Sequence, residues 1–165
     1  MAKGEVLACS KYSFELGKYP DLVIKSVSGI SSTLQTAGDS KSYGVTKGAK
    51  SVIQATVTGV TNSKVTVEFV CTVGDDRLIK WYSASHTEPL GGGGTGTKGE
   101  RDTATITLYN QGGEAAAVWE LKGVMPASYK SIKLEAGAEG LATETIEFVY
   151  EALHRTKYYS ALRLL

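Results

Sequence analysis

A chain of 165 residues, 42% hydrophobic and 21% charged, is long enough for one domain with a sizeable buried core. Its 18 basic and 17 acidic residues leave a formal charge of +1, too balanced for the broad basic face of a dedicated duplex-DNA binder. No apolar run approaches the ~18 residues of a spanning helix.

Near the start, Val6-Leu7-Ala8-Cys9 has the outline of a lipoprotein cleavage box, but only MAKGE precedes it. The apolar stretch of a secretory leader is missing, so no general secretory route and no membrane anchor are expected. Tyr12–Leu16 and residues 22–27 read as short strands. Residues 31–50, rich in Ser, Thr, Gly and Lys, read as a long loop, and residues 51–58 as another short strand. KVTVEFVCTV, residues 64–73, is the clearest strand. Val65, Val67, Phe69, Cys71 and Val73 share one face, and Thr66, Glu68 and Thr72 the other. Cys71 is thus expected as a buried free thiol. It makes no metal or redox spacing with Cys9.

One helix is expected over residues 75–86. Gly74-Asp75-Asp76 offers an N-cap, and Leu78, Ile79, Trp81 and Tyr82 cluster on one side. Residues 89–100, containing GGGGTGTKG, read as a flexible loop. Residues 102–109 alternate again, with Ala104, Ile106 and Leu108 against Thr103, Thr105 and Thr107. NQGG then supplies a hairpin loop, the chain returns through Ala117, Trp119 and Leu121, and residues 129–134 form a further short strand.

Residues 140–155, GLATETIEFVYEALHR, read two ways. Ile146, Val149, Tyr150 and Leu153 make a helical face, yet Glu144, Ile146, Phe148 and Tyr150 make a strand face. The β-branched and aromatic content favours strand, with EALHR open between helix and strand. The whole is an antiparallel, mainly β domain, a small barrel or sandwich with one flanking α-helix.

Chemical motifs are sparse. Gly94-Thr-Gly96-Thr-Lys-Gly99 matches G-x-G-x-x-G, but a dinucleotide site needs a strand before it and a helix after it. His86 and His154 belong to no ligand spacing. Asp75-Asp76 suits a helix N-terminus without any metal. Glu144, Glu147 and Glu151 read as solvated or salt-bridged strand carboxylates rather than an acid/base pair. No catalytic, cofactor or metal residue is expected, and no enzyme. The final residues carry Tyr158, Tyr159, Leu162, Leu164 and Leu165, an apolar tail that needs covering by its own domain or by a neighbouring subunit.

The ordered set of segments resembles the tail tube proteins of contractile phage tails and related contractile injection systems. RDTATITLYN, AVWELKGVMPASYKSIKL and LATETIEFVYEALHR are similar to that family's closing hairpin, return strand and last strand. YSFEL with VIKSVSGI resembles its first strand pair, and KVTVEFVCTVGDDRLIKWY its central strand and Trp-bearing helix. The likeness spans nearly the whole chain, though every motif is fold text rather than chemistry. Departures are Met125-Pro126 where an aromatic-proline pair is frequent, the glycine-rich residues 91–100, and the length of the tail.

The resemblance implies a structural subunit. Homohexameric rings stack into a hollow, rigid tube that a contractile sheath drives through an envelope, with DNA or effectors passing along the lumen without sequence-specific binding. Sheath and baseplate proteins are the implied partners, and synthesis in the bacterial cytoplasm the implied origin. Residues 31–50 correspond to a stacking loop, with Tyr43 and Val45 as apolar anchors and Asp39, Lys41, Lys47 and Lys50 as charged contacts. The apolar tail residues Tyr158, Tyr159, Leu162, Leu164 and Leu165 are, by their own composition, expected at an inter-subunit contact. The alternative is a monomeric β-barrel or sandwich binding a small ligand or saccharide in its loops, with Trp81, Trp119 and the tyrosine-rich tail as stacking surfaces.

Overall fold

In a computed structural model, the structure describes residues 5–37, 56–85, 100–131 and 134–156. Nine strands and one helix lie among them: β1 Tyr12–Leu16, β2 Ile24–Ser28, β3 Ser32–Ala37, β4 Thr56–Asn62, β5 Val65–Val70, α1 Arg77–Ala84, β6 Asp102–Tyr109, β7 Ala115–Lys130, β8 Thr143–Val149 and β9 Ala152–Thr156. All pairings are antiparallel, in the order β1-β6-β7-β8-β5-β2, with β9 also on β7. Among the described residues β3 and β4 pair only with each other.

The sixteen-residue β7 organises this arrangement. Its first part pairs with β6 and with β9, and its last part, Met125 to Lys130, with β8. The change falls at Gly123, whose φ of +67° favours glycine. A Cβ there would also collide with the Glu151 carboxylate. Opposite it, the chain passes from β8 to β9 at Tyr150-Glu151, where the Glu151 N–H donates to Lys122 O at 2.9 Å and carries the ladder across the corner. The strand reading therefore holds for Thr143–Val149, and Ala152 to Arg155 of EALHR are strand as well, in β9: the ladder to β7 outweighs the helix propensity of these residues.

The alternation in the sequence is the core. Val65, Val67 and Phe69 of β5, Ala104 and Ile106 of β6, and Ile146, Phe148 and Tyr150 at β8 are all buried. Phe148 packs against Phe69 and Trp81, with ring centroids 6.3 Å and 5.6 Å apart. Helix α1 presents Leu78 and Trp81 to this cluster, and the Trp81 indole N–H donates to Glu100 O at 2.9 Å.

Four readings change. Residues 32–37, expected within a loop, are strand β3; no residue of it is buried, so burial left no alternation to read. Residues 129–130 end β7 rather than opening a separate strand. The helix is shorter than residues 75–86 at its start. Cys71 is an exposed free thiol, because β5 stops at Val70 and its core face stops with it; Val73 is fully exposed for the same reason.

Trp119 sits at the core margin, with the Arg155 guanidinium 5.3 Å above its ring. Phe148→Ala should therefore cost about 3–5 kcal/mol and Trp119→Ala clearly less. Urea unfolding of the two variants measures the difference.

Candidate assembly surfaces

The β3–β4 ribbon has two distinct faces. Opposed residues of an antiparallel pair share a face, so Leu34↔Val60 and Thr36↔Val57 put Leu34, Val57 and Val60 together, across a register shift between Gln35 and Thr36. Thr33, Thr61 and Gln35 lie on the other face, where the Gln35 Nε2 donates to Thr61 Oγ1 at 2.8 Å. Leu34, Val57 and Val60 are 58%, 56% and 59% exposed. No residue of either strand is charged. A two-stranded ribbon with an uncovered apolar face is marginal alone in water and is the kind of edge that other strands and apolar surfaces cover.

The ribbon root is held firmly. The Tyr150 hydroxyl, on a side chain only 6% exposed, donates to Ser31 O at 2.7 Å. The Asn62 Nδ2 donates to Glu151 O at 3.2 Å, the Ser63 N–H to Ser31 O at 3.0 Å, and the Ser31 hydroxyl to Ser63 Oγ at 2.8 Å. Gly29, at φ +84°, turns the chain so tightly that a Cβ would lie 2.6 Å from Lys64 O. The ribbon is thus fastened to the β8–β9 corner, where Arg101 also pairs with Glu151.

The ligand-binding alternative has a groove to consider. About 600 Å³ opens between the unpaired edges of β1 and β2, lined by Leu7, Tyr12, Val27, Ile30, Ile106 and Leu108, and the Tyr12 hydroxyl bridges it to Lys25 O at 2.8 Å. This groove is mainly apolar and brings no acid/base pair together. The two tryptophans expected to stack on a ligand are elsewhere, with Trp81 buried in the core and Trp119 covered by Arg155.

The carboxylates are structural. Glu147 accepts from Ser128 at 2.9 Å and faces Lys64 and Lys130, each at 3.9 Å. Glu151 pairs with Arg101. Glu68 is held below the usual carboxylate range first by its hydrogen bond from Lys25 and then by that from Thr143. His154 is exposed on β9 opposite Glu120. Among the described residues no His, Cys, Asp and Glu cluster could hold a metal, and no helix is long and apolar enough to cross a membrane.

At the start of α1, Asp76 occupies the N-cap position without a side-chain capping bond. Asp75 does the work instead: it accepts from the Arg77 N–H at 3.3 Å and its guanidinium at 2.7 and 2.8 Å, while Arg77 also reaches Asp21 at 2.7 Å. This pairing lowers the Asp75 pKa from 3.8 to about 2. A depressed carboxyl stabilises the fold above its unfolded pKa and loses that contribution as pH falls through the folded one. Asp75→Asn should therefore flatten the loss of stability between pH 4 and about 2, as measured by denaturant midpoints across that range.

The assembly residues expected from sequence, Asp39, Lys41, Tyr43, Val45, Lys47 and Lys50, lie outside the described residues. So do the tail residues Tyr158, Tyr159, Leu162, Leu164 and Leu165, as well as His86 and the 91–99 glycine stretch. Sequence reasoning missed Leu34, Val57 and Val60, and the anchors Asn62 and Tyr150. An uncharged run flanked by lysine-rich text was the available signal for the ribbon. Nothing local marks the anchors, because Ser31 and Tyr150 meet only in the fold.

Tyr150→Phe tests the anchor. Losing one such bond costs about 0.5–1.5 kcal/mol, so the variant should fold, while the Ser63 amide at the ribbon root exchanges faster with solvent. Native-state hydrogen exchange reads this; unchanged Ser63 protection would contradict the anchoring role.

Comparison with known proteins places the fold. Residues 10–154 match the family model described as T4-like virus tail tube protein gp19. No curated protein sequence matches the chain. Among solved structures, a chain of the PVC sheath–tube complex, an extracellular contractile injection system in its extended state, superposes with a TM-score of 0.71 at 16% identity over 93% of both chains. A chain of the anti-feeding prophage tube-terminating cap gives 0.72 at 15% identity, covering 96% of this chain and 95% of that one. Hcp1 from Flavobacterium johnsoniae gives 0.56 at 11% identity, covering 90% and 96%. The resemblance read from the sequence thus holds across the chain: it belongs to the T4-like virus tail tube protein gp19 family, and its role is that of a structural tail-tube subunit.

Proposed function

We propose that this subunit closes into hexameric rings that stack head to tail as the inner tube of a contractile particle. A contractile sheath surrounds the tube and a baseplate nucleates it. DNA or effectors pass along the lumen without being gripped, and a near-neutral chain suits such a conduit. Heterologous contacts that close make a ring; along the axis the same kind of contact stays open and makes a filament. No catalytic step is required of any residue. Synthesis in the bacterial cytoplasm precedes incorporation into the particle.

The observation that carries this reading is the uncovered apolar face of the β3–β4 ribbon. In the tube, the ribbon and residues 38–50 bridge one ring to the next. Tyr43 and Val45 anchor the contact, and Lys41, Lys47 and Lys50, with Asp39, meet charged side chains of the adjacent ring. The tail residues Tyr158, Tyr159, Leu162, Leu164 and Leu165 pack on a neighbouring subunit.

Replacing residues 38–48 with a short Gly-Ser turn should leave rings intact and abolish tubes in negative-stain electron microscopy. Normal tubes from the shortened protein would refute the bridging role. Added salt should slow tube growth, because charge steers association more than it sets affinity.

A further inference from the structure

A bridge between rings needs a receiving surface, and that surface must lie at the other end of the subunit. The ribbon leaves the body at the start of β5, through Ser63 and Lys64. At the far end of β5, three chain segments meet. The Val70 N–H donates to Val23 O at 2.8 Å, and the Cys71 N–H donates to Ala142 O at 2.8 Å. These bonds set Val23 on one side of the β5 end and Leu141, next to Ala142, on the other, with Val73 two residues beyond Cys71. Val23 is 53% exposed, Leu141 74%, and Val73 fully. Single exposed apolar side chains need no explanation, but several together at a strand end mark a contact surface.

We infer that the end patch formed by Val23, Val73 and Leu141 receives the apolar face of the β3–β4 ribbon from a second copy in the adjacent ring. The inference rests on the head-to-tail tube proposed above. Three features select this occupant. Donor and receiver lie at opposite ends of one strand, so one translation along the tube axis brings them together, as an open heterologous interface requires. Both are apolar, with Leu34, Val57 and Val60 facing Val23, Val73 and Leu141. Little charge stands where they would meet: the ribbon strands carry none, residues 71–74 and 141–142 carry none, and Glu144 is the carboxylate that faces Cys71. Charged side chains buried in such a contact would be left unpaired. The acidic residues Asp75 and Asp21 near this end are already paired with Arg77, so a partner docking there leaves neither carboxylate unpaired. A central apolar contact with a polar rim is the usual anatomy of a protein interface.

The patch carries its own probe, the exposed thiol of Cys71. In a Cys9→Ser background, Cys71 should react with a maleimide rapidly in isolated rings and at least about tenfold more slowly in assembled tubes, as fits a side chain at the desolvated centre of an interface. Leu34→Cys or Val60→Cys in the same background should yield a disulfide to Cys71 in tubes under mild oxidation, and none in rings. Val73→Asp and Leu141→Asp, both at exposed loop positions, should leave ring formation unchanged and raise the critical concentration for tube growth at least about tenfold, the equivalent of 1.4 kcal/mol.

Equal Cys71 reactivity in rings and tubes, or normal tubes from Val73→Asp and Leu141→Asp together, would overturn the assignment. Leu34→Asp separates the two levels. If it blocks tube growth while the patch variants do not, the ribbon joins rings but docks elsewhere. If Leu34→Asp tubes are also normal, the bridging role of the ribbon fails with it.

Discussion

One constraint shapes this fold: a single long strand must serve two groups of partners, and it can do so only if it bends where its neighbour bends. Gly123 supplies the left-handed residue on β7, and Tyr150-Glu151 supplies the matching corner between β8 and β9. The two bends are interlocked, because the Glu151 carboxylate fills the space that a side chain at position 123 would need. The Glu151 N–H to Lys122 O bond crosses the corner between the β7–β9 and β7–β8 ladders. The bend lets the sheet curl around Phe14, Phe69, Phe148 and Trp81, and helix α1 closes the remaining side.

The same corner links core to surface. Tyr150 continues the buried row of Ile146 and Phe148, yet its hydroxyl ends at the root of an exposed ribbon. Core geometry is thereby transmitted to the direction in which the ribbon leaves the body. An element with no buried face of its own takes its orientation from its base. For a subunit that must repeat identically along a tube, a fixed departure angle matters more than the stability of the ribbon itself, which a neighbour can supply on docking.

Much of this was legible in the sequence because burial leaves a period. Alternation marked β5, β6 and β8 with the correct inward faces, and NQGG marked the β6–β7 hairpin. Where burial is absent the signal vanishes, so β3 was read as loop: STLQTA has no inward side to mark. Periodicity also outran structure at Cys71 and Val73, which continue the apolar pattern of β5 past the residue where its ladder ends. Gly123 and Pro126 look like interruptions, yet β7 runs through both, with an irregularity between Pro126 and Ser128. Helix-forming residues in EALHR were overruled by pairing to β7, a partner some thirty residues away. The candidate surfaces were harder still. Val23 and Leu141 are far apart along the chain and are brought to the end of β5 only by the bonds of Val70 and Cys71, and no local pattern encodes that.

The central claim is that this chain exists to assemble with itself. Sedimentation velocity of the purified full-length protein at about 100 µM, with electron microscopy of the same sample, tests it most directly. The account predicts a species of six subunits or stacked multiples of it, appearing as rings or tubes with an open centre. A single monomeric boundary, persisting through low and moderate salt with no rings on the grid, would contradict it.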